Sequence, residues 1–204
     1  MYNPWEGQGA QAVAAGSAAL RHGEAHCALV GGCDVKTHEL GSIALEQQGV
    51  FRSWRQHGAG CIPGEGAAFL VLEDETVART RSARVYARLR DCVVKTVAVH
   101  ATRSRVYADA LRPLVQAGSC VCVSAGDGDT ALADAETDAL RGLECSVTVV
   151  ARPKAQLGNL FAAAAALQVG LGAALIRDGR VGSRVVANCF GYGSAQAAFL
   201  LERS

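Results

Sequence analysis

The apolar positions along the chain change repeatedly between the period of a helix and the period of a strand. Small apolar residues recur at helical spacing over Gln8–His22, and Gly23 follows them where a C-terminal cap belongs. The apolar run Gly66–Glu73 is continuous, which predicts a strand buried on both faces. The elements predicted up to residue 83 are a helix over Gln8–His22, a strand over Ala25–Val30, a short helix over Leu40–Gln48, a strand over Gly66–Glu73 and a short helix within Asp74–Ala83 that Asp74 caps.

Strands and helices alternate regularly in the remainder of the chain. The predicted elements are a strand after Val85, a helix over Arg103–Gln116, a strand over Cys120–Ala125, a helix over Asp134–Leu143, a strand over Ser146–Ala151, a long helix over Leu157–Ile176 and two final strands within Ser183–Gly191 and Ala195–Arg203. Helices of this length between apolar strands predict an α/β fold with a mixed sheet covered by helices on both faces.

The composition excludes several classes of function. A chain of 204 residues, half of them hydrophobic, can bury one core or two closely fused ones. The 20 basic and 19 acidic residues nearly cancel, so we expect no nucleic-acid partner. No apolar run reaches the roughly 18 residues that span a bilayer. Because the start of the chain also lacks the pattern of a secretory signal, we expect a cytoplasmic protein without a membrane partner.

The cysteines and histidines do not form a metal-binding pattern. None of the eight cysteines is spaced C-x-x-C, and the alternation of Cys120 and Cys122 places both on one face of a strand. The five histidines are scattered singly. We therefore expect no structural metal, no disulfide framework and no cofactor.

Four segments resemble, in the same order, parts of the β-ketoacyl-ACP synthases of the thiolase-like fold. These segments are AALRHGEAHCALVGGCDV (Ala18–Val35), Ile62–Leu89, KAQLGNLFAAAAALQ (Lys154–Gln168) and NCFGYGSAQAAFLLER (Asn188–Arg203). The resemblance implies a layered α/β/α/β/α fold with an incomplete N-terminal half over residues 1–82 and a complete C-terminal half over residues 83–204. Because the family is about twice this length, it also implies an N-terminally truncated homologue that lacks the strand leading into the nucleophile.

The family reaction, a Claisen condensation, needs a thiol at the start of a buried helix, two imidazoles and a lysine that orders the site. Counted back from Gly23 by the family spacing, the nucleophile position falls on Glu6, and the first cysteine of the chain is Cys27. Gln8 resembles the glutamine that replaces the cysteine in chain length factors, the inactive partners of type II polyketide ketosynthases. In the simpler interpretation, Glu6 only favours a helix N-terminus.

Both imidazole positions of the family are also replaced. The first falls on Gly126, and the second falls on Asn159, whose amide donates hydrogen bonds but does not titrate near neutrality. Lys154 matches the family lysine. In the simpler interpretation, Lys154 pairs with a nearby acid and Asn159 caps a helix that begins at Leu160, with Gly158 easing the turn.

Other positions match structural parts of the family. Glu65 matches a glutamate that holds backbone donors of a turn, and Phe190–Gly193 matches the glycine-rich turn whose phenylalanine gates the acyl pocket. Gly191 and Gly193 also suit positive φ angles in a hairpin. The resemblance assigns structural or tunnel roles to Gln8, Glu65, Phe190, Gly191, Tyr192 and Gly193, and it matches Asp134, Glu136 and Thr137 to the acidic segment after the first imidazole position.

Three functions fit this pattern. In the first, the chain is an inactive, chain-length-factor-type subunit that forms a heterodimer with an active ketosynthase, shapes its acyl or polyketide tunnel and meets acyl carrier protein through the complex. The second is one half of a split ketosynthase or acyltransferase, with a catalytic Lys154 and a nucleophile from a partner chain. The third is an autonomous hydrolase or acyltransferase that uses a residue such as Cys61 or Ser124. Under the first function we expect no condensation by the chain alone.

Overall fold

The computed structural model describes residues 6–50, 60–98, 101–115, 118–127, 129–143 and 145–204, and they form two β-sheets with helices between and beside them. The helices are α1 (Gly7–Arg21), α2 (Glu39–Gln47), α3 (Glu75–Thr80), α4 (Arg103–Leu111), α5 (Thr130–Arg141), α6 (Pro153–Leu157) and α7 (Ala164–Arg177). The strands are β1 (Cys27–Val35), β2 (Glu65–Glu73), β3 (Arg88–Thr96), β4 (Gly118–Val123), β5 (Cys145–Ala151), β6 (Arg184–Cys189) and β7 (Ala195–Glu202).

The first sheet is the antiparallel pair β1–β2, whose register runs from Cys27 opposite Glu73 to Val35 opposite Glu65. Exposure alternates along both strands, because only the inner face packs on α1 and α7. On the outer face, Leu29, Val71 and Phe69 are 71%, 63% and 55% exposed. The prediction that Gly66–Glu73 is buried on both faces is therefore wrong within the described part of the chain.

The second sheet has five strands in the order β3-β7-β6-β4-β5. The pairs β3–β7 and β7–β6 are antiparallel, whereas β4 is parallel to both β6 and β5, which gives the mixed sheet that the sequence predicts. Helices α1 and α7 cover one face, and α4 and α5 lie against the other. The described elements thus form four layers in the order sheet, helix, sheet and helix.

The helix pair α1 and α7 lies at the centre of the molecule, where small residues allow close contact. Val13, Val169 and Phe199 are buried together between the two sheets. Gly9 faces the backbone of Ala162 so closely that a Cβ atom there would stand 2.0 Å from the Ala162 carbonyl oxygen. This contact fixes the first turn of α1 against the segment that leads into α7.

The predicted long helix over Leu157–Ile176 is interrupted. Helix α6 ends at Leu157, Gly158 takes a φ of +81°, and a 3₁₀ turn over Phe161–Ala163 precedes α7. The interruption arises because Asn159 pairs with a distant segment: its N–H donates to the Ile62 carbonyl and its carbonyl accepts from the Gly64 N–H, each at 2.8 Å. This pairing holds residue 159 in an extended segment rather than in a helix.

Other boundaries differ from the sequence predictions by a few residues. Helix α5 begins at Thr130, four residues before the predicted Asp134, because the Asp129 carboxylate caps its first turn. The predicted caps Gly23, with a φ of +71°, and Asp74 are confirmed. The predicted helix over Arg103–Gln116 ends already at Leu111, because Pro113 follows the C-cap Arg112 and has no N–H with which to continue the helix. The side-chain direction of Cys120 lies outside the described residues. No helix in the described ranges is both long and apolar enough to cross a membrane.

Candidate functional site

Glu6 immediately precedes α1, and its side chain is almost fully buried. Its carboxylate makes no capping hydrogen bond to the first turn of α1. Oε1 instead accepts a hydrogen bond from Asn159 Nδ2 at 2.5 Å and lies 3.5 Å from Lys154 Nζ, while Oε2 accepts from the Tyr192 N–H at 3.3 Å. The carboxylate therefore does more than favour a helix N-terminus, because it joins three distant segments.

Asn159 uses both ends of its amide. Nδ2 donates to Glu6 Oε1 and also to Asp127 Oδ2, the latter at 3.1 Å. Oδ1 accepts from the Phe161 N–H at 2.9 Å, so the predicted cap is present at the start of the 3₁₀ turn. The side chain is fully buried. Asn159 thus caps the following turn and holds two buried carboxylates together.

Lys154 belongs to α6, and its side chain is 2% exposed. Its ammonium group donates to the Phe190 carbonyl at 2.7 Å and forms the predicted ion pair with an acid, which is Glu6. A buried ammonium group needs such partners, because transfer out of water without them is costly. Lys154 is therefore held by contacts within this chain.

Gly126 follows β4, and Asp127 next to it provides the second carboxylate of the cluster. A Cβ atom at position 126 would stand 3.2 Å from Ser124 Oγ, so a side chain there would be crowded. Burial raises the pKa of Asp127 above its ordinary value, and the positive charge of Lys154 opposes part of that increase. Asp127 Oδ1 accepts from the Asp129 N–H at 3.1 Å, which fixes the carboxylate in place.

The turn Phe190–Gly193 closes the cluster from the side of the second sheet. A Cβ atom at Gly191 would stand 2.2 Å from the carboxyl carbon of Glu6, so only glycine fits there. Neither Gly191 nor Gly193 has a positive φ, so the predicted role of these glycines in the hairpin is wrong. Close approach of the carboxylate, and not the backbone angle, explains the glycine at 191.

Three side chains that the sequence analysis did not single out hold this turn. Gln196 Oε1 accepts from the Gly191 N–H at 2.8 Å, and Arg103 donates to the Gly191 and Tyr192 carbonyls at 2.8 and 3.0 Å. The ring of Tyr107 stacks on Phe190 with 4.0 Å between centroids. Because these residues lie far apart in the chain and belong to no local motif, only the tertiary structure shows their common role.

Asp129 connects the cluster to the segment before β2. Its Oδ2 accepts from the Tyr192 hydroxyl at 2.9 Å and from the Gly60 N–H at 3.1 Å. Burial raises the pKa of the Tyr192 hydroxyl, which therefore stays protonated and donates. Asp129 is not among the predicted site residues, although an aspartate directly before an apolar helix is a capping signal.

A second buried network lies beside the first. Glu136 accepts from the Ser124 hydroxyl at 2.5 Å, from the Ala125 N–H at 3.0 Å and from Asn188 Nδ2 at 2.6 Å. Of the three residues matched to the acidic segment, Asp134 and Thr137 are exposed on α5, and only Glu136 is buried. The carboxylate of Glu136 therefore ties α5 to the ends of β4 and β6.

Three further predicted residues, Gln8, Glu65 and Cys61, differ in how deeply they are buried. Gln8 is partly buried in the first turn of α1. Glu65 is exposed at the start of β2, where its carboxylate accepts a hydrogen bond from the Thr37 hydroxyl. Cys61 is fully buried, and burial, reinforced by the charges of Asp127 and Glu6, raises the pKa of its thiol to about 12. At neutral pH this thiol is protonated and is a poor nucleophile.

The sequence of this chain is similar to ketosynthases and their partner subunits. The family model of the β-ketoacyl synthase N-terminal domain matches residues 8–78. The tetracenomycin polyketide synthase ketoacyl synthase beta subunit of Streptomyces glaucescens is 32% identical over 189 residues, which cover 83% of this chain and 46% of that protein. The chain thus spans about half the length of this curated relative.

Solved structures show the same fold. The ishigamide ketosynthase/chain length factor matches with a TM-score of 0.77 and 22% identity over 97% of this chain and 59% of that one. A type II polyketide synthase acyl-carrier protein in complex with its ketosynthase bound to the hexaketide matches with a TM-score of 0.71 and 20% identity over 96% of this chain and 57% of that one. At these identities the likeness establishes the thiolase-like layered fold.

Proposed function

This chain is a ketosynthase-like protein of the β-ketoacyl synthase family, and from that premise we propose that it is a catalytically inactive subunit of the chain-length-factor type. The observation that carries the proposal is the hydrogen bond between Glu6 and Asn159. These residues occupy the positions that the family resemblance assigns to the nucleophile and to the second imidazole. A carboxylate is a weaker nucleophile toward an acyl group than a thiolate is. An amide has no basic nitrogen that could exchange a proton with a thioester substrate.

The contacts of Lys154 support a structural role for that residue. In the split-enzyme alternative, the amine of Lys154 would have to reach a substrate or a nucleophile from a partner chain. Its ammonium group is instead buried and directed at the Phe190 carbonyl and the Glu6 carboxylate. An amine that is held on both sides by its own chain has to break these contacts before it can act on a substrate.

Cys61 and Ser124, the candidate nucleophiles of an autonomous hydrolase, are also poorly suited to attack a substrate. Burial raises the pKa of the Cys61 thiol to about 12, so little thiolate is present at neutral pH. The Ser124 hydroxyl donates to the Glu136 carboxylate, and that carboxylate also accepts from Asn188 and from a backbone N–H. In this arrangement Glu136 is a buried structural acceptor, and the histidine that normally activates a serine is not part of these contacts.

The proposed partner is an active ketosynthase, with acyl carrier protein binding through the complex. The relative from Streptomyces glaucescens is a ketoacyl synthase beta subunit, and the ishigamide structure contains a ketosynthase/chain length factor. The exposed apolar side chains Leu29, Phe69 and Val71 on the outer face of β1–β2 support an obligate complex, since monomers rarely expose such faces. We expect the heterodimer to bury more than about 2,000 Å², and we place Gln8, Phe190 and Tyr192 in the wall of the acyl tunnel.

Co-expression with ketosynthases from neighbouring genes tests the proposal. We expect the chain to co-purify with one of them in a 1:1 ratio and to be poorly soluble when expressed alone. The complex should form 3-ketoacyl product from malonyl-ACP and acyl-ACP, and replacing the partner's nucleophilic cysteine by alanine should abolish this activity. A monodisperse monomer at micromolar concentration in light scattering would overturn the pairing. Product formation by the purified chain alone would overturn the assignment as inactive.

A further inference from the structure

The donors around the Glu6 carboxylate form a site that fits a small anion. Three donors from two segments of the chain converge on it: Asn159 Nδ2 at 2.5 Å and Lys154 Nζ at 3.5 Å from residues 154–159, and the Tyr192 N–H at 3.3 Å from the turn after β6. The side chains of Lys154 and Glu6 are each 2% exposed. Hydrogen bonds to a charged group are the stronger ones, and burial strengthens them further.

The site is held in place by contacts that do not involve Glu6. Asn159 is fixed by the Phe161 N–H and by its backbone pairing with residues 62–64. Lys154 is fixed by the Phe190 carbonyl, and the Tyr192 backbone by Arg103. Because each donor has its own anchor, the donors should keep their positions when the side chain of Glu6 is removed.

Space and charge define which anion fits. Gly191 leaves room only for the carboxyl group itself, since a Cβ atom there would meet it at 2.2 Å. The Asp127 carboxylate shares Asn159 Nδ2 at 3.1 Å and repels a second negative charge, so a dianion is disfavoured. The site therefore selects a small monocarboxylate.

We infer that Glu6 acts as an internal ligand, whose carboxylate fills an anion-binding site formed by Asn159, Lys154 and the Tyr192 N–H, and that this site binds a free monocarboxylate once the side chain is shortened. In the native chain the tethered carboxylate keeps external anionic groups out of this site. The inference rests on this geometry alone and holds whether or not the chain pairs with a ketosynthase.

The size of the ligand follows from the atoms removed. Glu6→Ala deletes Cγ, Cδ and both oxygens, which are the heavy atoms of acetate. Glu6→Gly deletes Cβ as well, so the missing group has the heavy atoms of propionate. Acetate should therefore restore the alanine variant, and propionate should be the better ligand of the glycine variant. A general effect of salt on stability would not make the alanine variant prefer acetate and the glycine variant prefer propionate.

Thermal unfolding tests the inference, on the complex with the co-purified ketosynthase or, where it stays soluble, on the chain alone. Sodium acetate, sodium propionate and sodium chloride are compared at equal ionic strength. We expect the midpoint of Glu6→Ala to lie below that of the parent chain and to rise saturably with acetate. The gain should be roughly 2–4 °C once the site is largely filled, as expected for one bound ligand in a domain of this size. The parent chain and Glu6→Gln, whose side chains still fill the site, should respond to acetate no more than to chloride.

Val13→Ala is the matched control, since it shortens a fully buried side chain of α1, the helix that Glu6 precedes, and removes no anion. It should lose stability by cavity formation and gain nothing from acetate over chloride. If Glu6→Ala is unfolded in buffer, acetate should restore its helical circular dichroism signal. An equal response of Glu6→Ala and Val13→Ala to acetate, or no response of Glu6→Ala in either measurement, would overturn the inference.

Discussion

The side-chain amide of Asn159 donates to the carboxylate of Glu6 over 2.5 Å, although the two residues are 153 positions apart in the chain. This single contact joins the start of the central helix α1 to the segment before α7. The two residues are those that the family resemblance assigns to the nucleophile and to the second imidazole. The buried side chains of Glu6, Asn159 and Lys154 thus contact one another, and the cluster holds the two segments together.

Replacing Asn159 by alanine should lower stability by more than a lost helix cap. A cap alone is worth about 1 kcal/mol. Here the change also removes the donor that Glu6 and Asp127 share, and buried acceptors without a partner cost about 1–3 kcal/mol each. We therefore expect a loss of about 2–4 kcal/mol in the free energy of unfolding, measured by urea denaturation.

Gln47→Ala, at an exposed position near the end of α2, is the control and should change stability by less than about 0.5 kcal/mol. A loss in Asn159→Ala no larger than that of a simple cap would show that the two carboxylates find other partners.

Local patterns predicted the elements of the fold because each depends on residues near in sequence. The helix over Gln8–His22 and its cap at Gly23 follow from spacing and from a glycine that accepts a positive φ. The C-terminal strands were found because their apolar runs are separated by polar turns. The contact between Glu6 and Asn159 was not predicted: no local pattern links the two residues, and the family resemblance only assigned each of them to a position of the site.

The remaining features depend on contacts that sequence periodicity does not encode. The interruption of the long helix comes from the pairing of Asn159 with residues 62–64. The alanine-rich sequence after Asn159 predicts a continuous helix and gives no sign of this pairing. Gly191 was assigned to a positive φ, whereas the structure shows that it makes room for the Glu6 carboxylate. The outer face of β1–β2 is apolar in sequence but exposed, because burial depends on what packs against a strand.

Lys154 and Glu6 should behave as a coupled pair in a double-mutant cycle. Lys154→Met leaves the Glu6 and Asp127 carboxylates without their cation, and breaking a buried pair from one side typically costs about 3–5 kcal/mol. Adding Glu6→Gln removes one of the stranded charges, so the double variant should be more stable than Lys154→Met alone.

Urea denaturation of the four proteins in this cycle measures the coupling. Additive losses would contradict the coupling. The same variants also test the structural role of Lys154: the complex with the active ketosynthase should keep forming product when Lys154→Met is present and assembly is intact. Loss of turnover in an assembled complex would favour the split-enzyme alternative.

Cys61 should resist alkylation in the folded protein. Its thiol is fully buried and has a pKa raised to about 12 by burial, whereas Cys27 and Cys33 are exposed. With iodoacetamide at neutral pH, mass spectrometry should find Cys27 and Cys33 labelled at least tenfold faster than Cys61, because access and thiolate fraction both limit the reaction. Addition of urea should abolish the difference. Labelling of Cys61 as fast as the exposed thiols under native conditions would revive a role for it as a nucleophile.

Asp127 should make the folded state less stable as the pH rises. Burial raises its pKa above the ordinary value of 3.8, so the folded state binds the proton more tightly than the unfolded state does. The stabilisation by this proton is therefore fully present below pH 3.8 and is lost as the pH rises through the higher folded-state pKa.

The variant Asp127→Asn cannot ionise, so its stability does not fall in this way. Urea denaturation of both proteins from pH 3 to pH 8 should show the free energy of the variant gaining on that of the parent over this window. Subtracting the two profiles cancels the opposite contributions of Glu73, Asp74 and Glu75, whose pKa values are lowered. Gln47→Ala, which changes an exposed side chain without a titratable group, should give a flat difference profile. A flat profile for Asp127→Asn as well would mean that Asp127 ionises in the folded protein as easily as in the unfolded chain.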